Sequence, residues 1–352
     1  MKIVFVSNYF SHHQKPLCDA LAALTEFSFL ESAAMPADRL AQGWHTEKPG
    51  YVTGDRAVLR HADVVIAGSA PERWILPCIW KGKLVFRYHE RPLKDGDAVW
   101  KRLPRWVKWH FCNPGRRVWL LCAGSQVASD YAKFGLFRDR ALKWGYFPES
   151  GPSAEKVPGR VLWAGRLLEL KHPCHAVRTV AELRAEGFDL RLRLVGDGPE
   201  KAAVLETIRR EKLEEYVTLT GFLPAAQVRR EMAEAEIFLF TSDRREGWGA
   251  VLSEAMEMGC AVVASREAGA TGYLVRDGEN GLTYETEAQL TGQLRRLLTD
   301  AALRNRLGTA ARETIVGSWN GAEAARRLVA VSQDILEGKT PRLWPDGPCS
   351  RG

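Results

Sequence analysis

Residues 240–264 read FTSDRREGWGAVLSEAMEMGCAVVA, and their pattern decides the architecture. The apolar run Ile237, Phe238, Leu239 and Phe240 enters as a buried strand and meets a polar turn in which Gly247 and Gly249 flank Trp248. An amphipathic helix follows, and Ala261 to Ala264 return as a second buried strand. Glu246 falls in the loop and Glu254 in the helix, with seven residues between them.

The two glycines remove side-chain bulk where backbone would approach a ligand, and the first-turn amides of a helix point outward at the positive end of its dipole. An anion fits there. Two carboxylates beside a phosphate would repel it unless they accept hydrogen bonds from hydroxyls on either side, as a sugar and a ribose would supply. The alternative is a pair of glutamates on a solvated helix surface.

Outward from this segment the chain alternates strand-like and helical runs. KIVFVS, DVVIAG, KLVFRY, VWLLCAG and LKWGYF are candidate strands of a first parallel sheet. Residues 148–159, PESGPSAEKVPG, break the pattern as a linker would. RVLWAG, LRLRLVG, VTLTG, EIFLF and AVVAS then restart it, with helices expected over 172–186 and 200–212. The reading is α/β, two Rossmann-like doubly wound domains: residues 1–150, and residues 151–352, with a helix near 320–338 packing back towards the first domain. Ligands of open parallel sheets bind beyond the carboxyl ends of the strands, so these loops are expected to line a cleft between the domains.

Composition narrows the class. The 352 residues are 45% apolar, suit two domains, and contain no run of about 20 apolar residues that would span a bilayer. Residues 1–10 are a lysine followed by a short β-branched run, too short for the apolar region of a signal segment, and read as a first strand. Seven scattered cysteines without a CxxC pair point to a reducing, cytoplasmic setting and against structural zinc or a disulfide framework. The net charge of +7 is uneven: residues 1–150 hold 22 Lys and Arg against 14 Asp and Glu, and the remainder 28 against 29. An anionic partner for the first half follows, whether a membrane surface, nucleic acid or an acidic acceptor.

Two cationic residues follow RVLWAG: Arg166 and Lys171, a fork and a point charge suited to a diphosphate that no metal neutralises. Taken singly they are surface charges, and Gly196-Asp197-Gly198-Pro199 taken singly is a turn.

From residue 160 to about 336 the chain resembles the retaining GT-B-fold glycosyltransferases, the large family with the glutamate, seven residues, glutamate motif. The resemblance rests on Gly165-Arg166 and Lys171, LVGDGPE, TLTGF, REGWGAVLSEAMEMGCAVVAS and RDGENGLTY, in the family's order across most of the second domain. It implies that Arg166 and Lys171 hold the diphosphate of a nucleotide-sugar donor, that Glu246 binds the donor sugar's hydroxyls, and that Glu254 binds the ribose. Gly247, Trp248, Gly249, Ala250 and Val251 would serve sugar and phosphate through backbone amides. In the first domain KLVFRYHE resembles the family's strand ending in a histidine beside the donor sugar, which makes His89 a catalytic candidate with Glu90 next to it; a histidine satisfied by local backbone is the alternative. AGS at 123–125 resembles a segment to which no chemistry attaches.

Three positions depart from the family. Trp248 stands where Phe is common, Gly269-Ala270-Thr271-Gly272-Tyr273 lacks the usual Gly-Gly pair and following glutamate, and the first loop, Ser7-Asn8 to Ser11-His12-His13-Gln14, has no Gly-Gly pair. Asp95-Gly96-Asp97 spells an Asp-x-Asp metal signature without a strand feeding it and reads as loop, and no GxGxxG follows the first strand.

The implied activity is hexosyl transfer from a nucleotide sugar to a lipid-linked or saccharide acceptor with retention. Such chemistry would serve bacterial-type cell-surface polysaccharide or glycolipid synthesis without a metal cofactor. A sugar-nucleotide epimerase of the same fold and a basic nucleic-acid-binding protein are the other classes; no recognised nucleic-acid motif is present. Residues 98–112, AVWKRLPRWVKWHFC, placed on a helix put Lys101, Arg105 and Lys108 on one side and Val99, Leu103, Trp106 and His110 opposite. Either this segment docks at the surface of an anionic membrane, or its aromatic side packs on its own domain and its basic side is merely solvated.

Overall fold

The structure, a computed structural model, describes residues 1–41, 46–94, 96–152 and 154–352; Asp95 and the side chain of Val99 lie outside the described residues. The chain divides into two compact units, Met1–Phe147 with Ser318–Gly352, and Pro148–Gly317.

The first unit is built on a seven-stranded sheet in which every neighbouring pair runs parallel. Its strands are β1 (Lys2–Ser7), β2 (Glu26–Glu31), β3 (Val52–Thr53), β4 (Val64–Ala67), β5 (Leu84–His89), β6 (Val118–Ala123) and β7 (Ala141–Trp144), in the order β3-β2-β1-β4-β5-β6-β7. Its helices are α1 (Lys15–Leu24), α2 (Ala37–Ala41), α3 (Glu72–Trp80), α4 (Arg102–Cys112) and α5 (Val127–Ala132). Runs such as VVIA and VWLLCA are buried along their whole length because helices cover the faces of a parallel sheet. Pro16 sits in the first turn of α1, where the missing N–H costs nothing.

The second unit carries β8 (Val157–Ala164), α6 (Pro173–Ala185), β9 (Arg191–Val195), α7 (Lys201–Arg210), β10 (Val217–Gly221), α8 (Ala225–Glu234), β11 (Ala235–Phe240), α9 (Ala250–Glu257), β12 (Ala261–Ser265), α10 (Thr271–Leu274), β13 (Leu282–Tyr284), α11 (Glu287–Thr299) and α12 (Ala301–Gly317). The sheet order is β10-β9-β8-β11-β12-β13, again all parallel.

Three features differ from the sequence expectation. First, residues 318–352, counted by sequence in the second domain with a helix near 320–338 packing back towards the first, cluster as a whole with the first unit; the packing back is as expected, the domain boundary is not. The last helix, α13 (Gly321–Leu336), packs on α1 so closely that a Cβ at Gly321 would lie 2.7 Å from the carbonyl carbon of Pro16. Buried Arg327 donates to the carbonyls of Asp346 and Pro348 at 2.5 and 3.0 Å, and the tail then closes the edge of β7 through Cys349 N to Lys143 O at 2.9 Å and Lys143 N to Ser350 O at 2.8 Å.

Second, the expected linker ends early, because Val157, Pro158 and Gly159 already belong to β8. They are accommodated by a register shift against β11, with Gly159 at φ +70° donating its N–H to Glu236 Oε2 at 2.7 Å. Third, β2, β3 and β13 were not among the expected strands: β2 starts and ends on glutamate, and the other two are only two and three residues long.

Helix α4 turns its apolar side outward. Leu103 is 71% exposed and Trp106 47%, and they are joined on the surface by Trp100, Val107 and Phe111. The inward contact is made by Trp109, whose ring lies 4.9 Å from that of Tyr131 and 4.7 Å from that of Phe134. The reading in which the aromatic side of this helix packs on its own domain is thereby overturned for Leu103 and Trp106, because Trp109 and Cys112 already fill the inward face. Pro104 falls in the first turn of α4, where it interrupts no ladder.

Candidate active site

In the second sheet β8 continues to β9 and β10 on one side while β11 and β12 lie on the other, so the loops leaving β8 and β11 diverge at the reversal of strand order. Ligands of doubly wound sheets bind at such a point. The loop after β8 carries Gly165, Arg166 and Lys171, and the loop after β11 carries residues 241–249.

These loops meet at an ion pair. Lys171 Nζ donates to Glu246 Oε2, both side chains being 15% exposed, and Ser242 Oγ donates to the same oxygen at 3.0 Å. The backbone of Lys171 is fixed as well: Trp163 Nε1 donates to Thr241 Oγ1 at 2.8 Å, and that hydroxyl donates to Lys171 O at 2.6 Å. The stem of Lys171 crosses Gly165, where a Cβ would lie 3.3 Å from Lys171 Cδ.

The GDGP run is more than a turn before a helix. A Cβ on Gly196 would sit 1.9 Å from Gly165 O and one on Gly198 2.5 Å from Leu167 O, so both glycines let the loops after β8 and β9 lie edge to edge. Leu167 N to Asp197 O and Glu200 N to Leu167 O, each 3.0 Å, stitch them together. Asp197 is spent locally: the hydrogen bond from Lys201, then that from the Gly198 amide, hold its carboxyl below the usual carboxylate range.

Gly249 sets the second loop. Its φ is +88°, and a Cβ there would come within 2.3 Å of the Phe240 ring and 3.3 Å of Glu246 Cγ. A side chain would therefore displace Glu246. Helix α9 begins immediately after it with no side-chain cap, which leaves the first amides, including those of Ala250 and Val251, as the unfilled donors of a helix start. Gly247 and Trp248 are buried, and Trp248 O accepts from Ala270 N at 3.1 Å, so residues 269–273 brace this loop from behind.

Glu254 lies half-buried on α9, and burial, opposed by the charge of Arg229, pushes its carboxyl up to about 7. Arg166 is exposed, and its guanidinium makes no hydrogen bond or ion pair with any described residue. Of the residues singled out in the sequence, Lys171, Glu246 and Gly249 are thus brought into direct contact, while Arg166 extends from the same loop into solvent.

A polar hub next to them was not anticipated. Asp243 accepts from Arg245 Nη2 at 2.8 Å and pairs with His172 Nε2 at 3.1 Å, and its N–H reaches Leu170 O at 2.9 Å. Burial would raise the Asp243 carboxyl, but the hydrogen bonds from Arg245 and His172 outweigh it and hold it low. The available signal was Thr241-Ser242-Asp243 directly after a buried strand, three short polar side chains where loops gather function.

In the first unit His89 ends β5. Its Nδ1 lies 2.6 Å from Tyr131 Oη, and the two rings stack with centroids 5.8 Å apart. Burial, then the charge of Arg87, brings the imidazole down to about 4, and burial also raises the Tyr131 phenol, so the ring is neutral; with the phenol donating to Nδ1, its N–H is at Nε2. Glu90 is exposed and accepts from Tyr146 Oη at 2.9 Å; His13, packed against His12 at 4.0 Å, is lowered by burial to about 3.

Residues 152–314 match the family model described as glycosyl transferases group 1. Among curated proteins the chain is 29% identical over 197 residues to the putative colanic acid biosynthesis glycosyltransferase WcaL of Salmonella typhimurium, covering 54% of this chain and 48% of that one. It is 31% identical over 184 residues to the amylovoran biosynthesis glycosyltransferase AmsK of Erwinia amylovora, covering 51% and 45%. The chain spans about half the length of these relatives. Among solved structures, HepE of Anabaena in complex with UDP superposes with a TM-score of 0.68 at 16% identity over 96% of this chain and 99% of that one, a likeness of fold.

Proposed function

We propose, from the match of residues 152–314 to the glycosyl transferases group 1 model, that this chain moves a hexose from a nucleotide-sugar donor to a lipid-linked or saccharide acceptor with retention of anomeric configuration. The observation that carries the reading is the pair Lys171–Glu246 at the reversal point of the second sheet, with unpaired Arg166 on the same loop. A diphosphate is held by the Arg166 fork, the Lys171 point charge and the amides of the α9 start. Glu246 accepts from the sugar's hydroxyls and Glu254 from those of the ribose. From the first unit, neutral His89 is assigned as a hydrogen-bond donor to substrate.

Among the described residues of the second unit no side chain is assigned as a nucleophile, and the reaction is read as a front-face displacement. The bond between the anomeric carbon and the diphosphate oxygen breaks with its electron pair going to the diphosphate, the acceptor oxygen bonds to the same face, and its proton passes to the departing oxygen. Cations and amides act by stabilising the charge that develops on the leaving group. The two curated relatives above are named for colanic acid and amylovoran biosynthesis, and the product is read as a cell-surface polysaccharide or glycolipid. Action at the cytoplasmic face of the membrane is assigned to the outward face of α4, whose exposed apolar side chains would lie on the bilayer.

The test is release of nucleoside diphosphate from candidate donors with and without acceptor. Release that requires acceptor establishes transfer; donor turnover to an isomeric nucleotide sugar without acceptor would establish an epimerase instead.

A further inference from the structure

The first unit contains a cavity of about 440 Å³ that the transfer reaction does not use. It is formed by residues 55–60, which precede β4, by Arg73, Trp74, Pro77 and Cys78 along α3, and by residues 81 and 83, which lead into β5. Neither His89, at the end of β5, nor any other residue assigned to the transfer reaction lines it.

The lining is cationic. Arg56, Arg60, Arg73, Lys81 and Lys83 face one carboxylate, Asp55, which already accepts from the Ala57 amide at 2.9 Å. Lys83 is spent on the carbonyls of Arg60, at 3.0 Å, and Ala62, and Arg56 lies 4.7 Å over the ring of Trp74. The side-chain charges of Arg60, Arg73 and Lys81 have no hydrogen-bond or ion-pair partner among the described residues. Trp74, Pro77 and buried Leu59 supply an apolar wall, and the Trp74 indole nitrogen is buried without a partner.

Cations converging on a concave surface repel one another, and the field they focus draws in an anion that cancels the repulsion. Three unpaired donors, two of them planar forks, match the several oxygens of a phosphate better than the two of a carboxylate. A cavity of this size also exceeds a bare ion and falls within the range of small-ligand sites. We propose that the cavity between residues 55–60 and α3 is a second anion site, which binds the phosphate of a phosphorylated ligand through Arg60, Arg73 and Lys81 and lays the ligand's apolar part on Trp74. A phospholipid headgroup and a soluble phosphate ester share this chemistry.

The experiment compares the full-length protein with an Arg60→Gln, Arg73→Gln, Lys81→Gln variant, whose exposed substitutions leave the core untouched. Hydrogen exchange is followed in residues 55–60 and 72–83 as inorganic pyrophosphate is raised to the millimolar range. Pyrophosphate also fits the donor loops, and reading exchange segment by segment separates the two sites. The expected result is protection of these segments in wild type, with roughly tenfold weaker binding for each cation removed and loss of protection in the triple variant. Absence of protection in wild type, or equal protection in both proteins, overturns the proposal. Flotation with phosphatidylglycerol and phosphatidylcholine vesicles then distinguishes the sources. Anionic-vesicle binding that falls in the triple variant assigns a lipid headgroup, and binding equal in both proteins assigns a soluble phosphate ester.

Discussion

Glu246 and Glu254 share one loop and helix but have opposite surroundings. Glu246 is held by Lys171 and Ser242, whereas burial lifts the carboxyl of Glu254 from 4.5 to about 7. Ribose hydroxyls donate to the ionised form, so binding pulls Glu254 towards ionisation. Affinity for a nucleoside diphosphate should accordingly rise roughly tenfold between about pH 6 and pH 8, as the carboxylate becomes the resting form. Calorimetry should find that rise flattened in Glu254→Gln, while Glu246→Gln keeps it and loses transfer; identical pH slopes for wild type and Glu254→Gln would refute the assignment. The two cations differ in the same way. Arg166→Ala removes only ligand contacts and should cut turnover about tenfold to a hundredfold with an unchanged melting temperature. Lys171→Ala should match that loss and also cost about 1 to 3 kcal/mol of stability, because it strands the half-buried Glu246. Wild-type turnover in either protein would falsify the diphosphate clamp. The identities of these four residues were legible in the sequence. The pairing of Lys171 with Glu246 was not, because the partners are 75 residues apart and meet only when β8 and β11 become neighbours.

The loop between β11 and α9 holds its shape through one glycine. An alanine at Gly249 would meet a ring 2.3 Å away in a backbone conformation that disfavours any side chain. Gly249→Ala should cost about 1 to 3 kcal/mol and reduce transfer by more than nucleotide binding, since Glu246 is the neighbour that must move. Gly292→Ala is the matched comparison: nothing lies within 4 Å of its Cβ position in α11, so it should be neutral or stabilising by up to about 1 kcal/mol. Equal thermal midpoints and turnover for Gly249→Ala and wild type would show that the loop tolerates the side chain. Helix α4 obeys a different rule. Its periodicity was readable from Lys101, Arg105 and Lys108, yet periodicity defines two faces without saying which one faces the protein. Trp109, placed on neither side by that reading, anchors the helix on Tyr131 and Phe134 and sends Leu103 and Trp106 to the surface.

At the scale of the molecule, the basic excess belongs to the first unit. Met1–Phe147 with Ser318–Gly352 holds 27 Lys and Arg against 17 Asp and Glu, and the outward apolar side of α4 lies on that unit. Aromatic side chains beside cations are what an interfacial helix needs at an anionic bilayer. Wild type should cosediment with anionic liposomes at low salt, while Trp106→Gln, Phe111→Gln should release the protein without lowering its melting temperature, both rings being exposed. Binding unaffected by these changes would retire α4 as the contact. Turnover should persist in EDTA, since Arg166, Lys171 and the α9 amides are assigned to the diphosphate charge. Activity lost to chelation and restored by magnesium or manganese would overturn that assignment.

The sequence by itself determined the alternation of buried strands and helices, the doubly wound class, and which glycine-bearing loops leave β8 and β11, because all three are written in local periodicity and in glycine placement after apolar runs. Only the tertiary structure decided the rest. The helix near 320–338 was expected to pack back on the first domain, but that all of residues 318–352 join the first unit follows from Gly321, which lets α13 approach α1, and from Arg327, which ties down the tail. Asp243 and Thr241 acquire partners on the loop after β8, and Ser242 supports Glu246 within its own loop. Sequence periodicity reports which face of an element is apolar, whereas the partner that covers that face, or leaves it bare, is set by contacts between residues far apart in the chain.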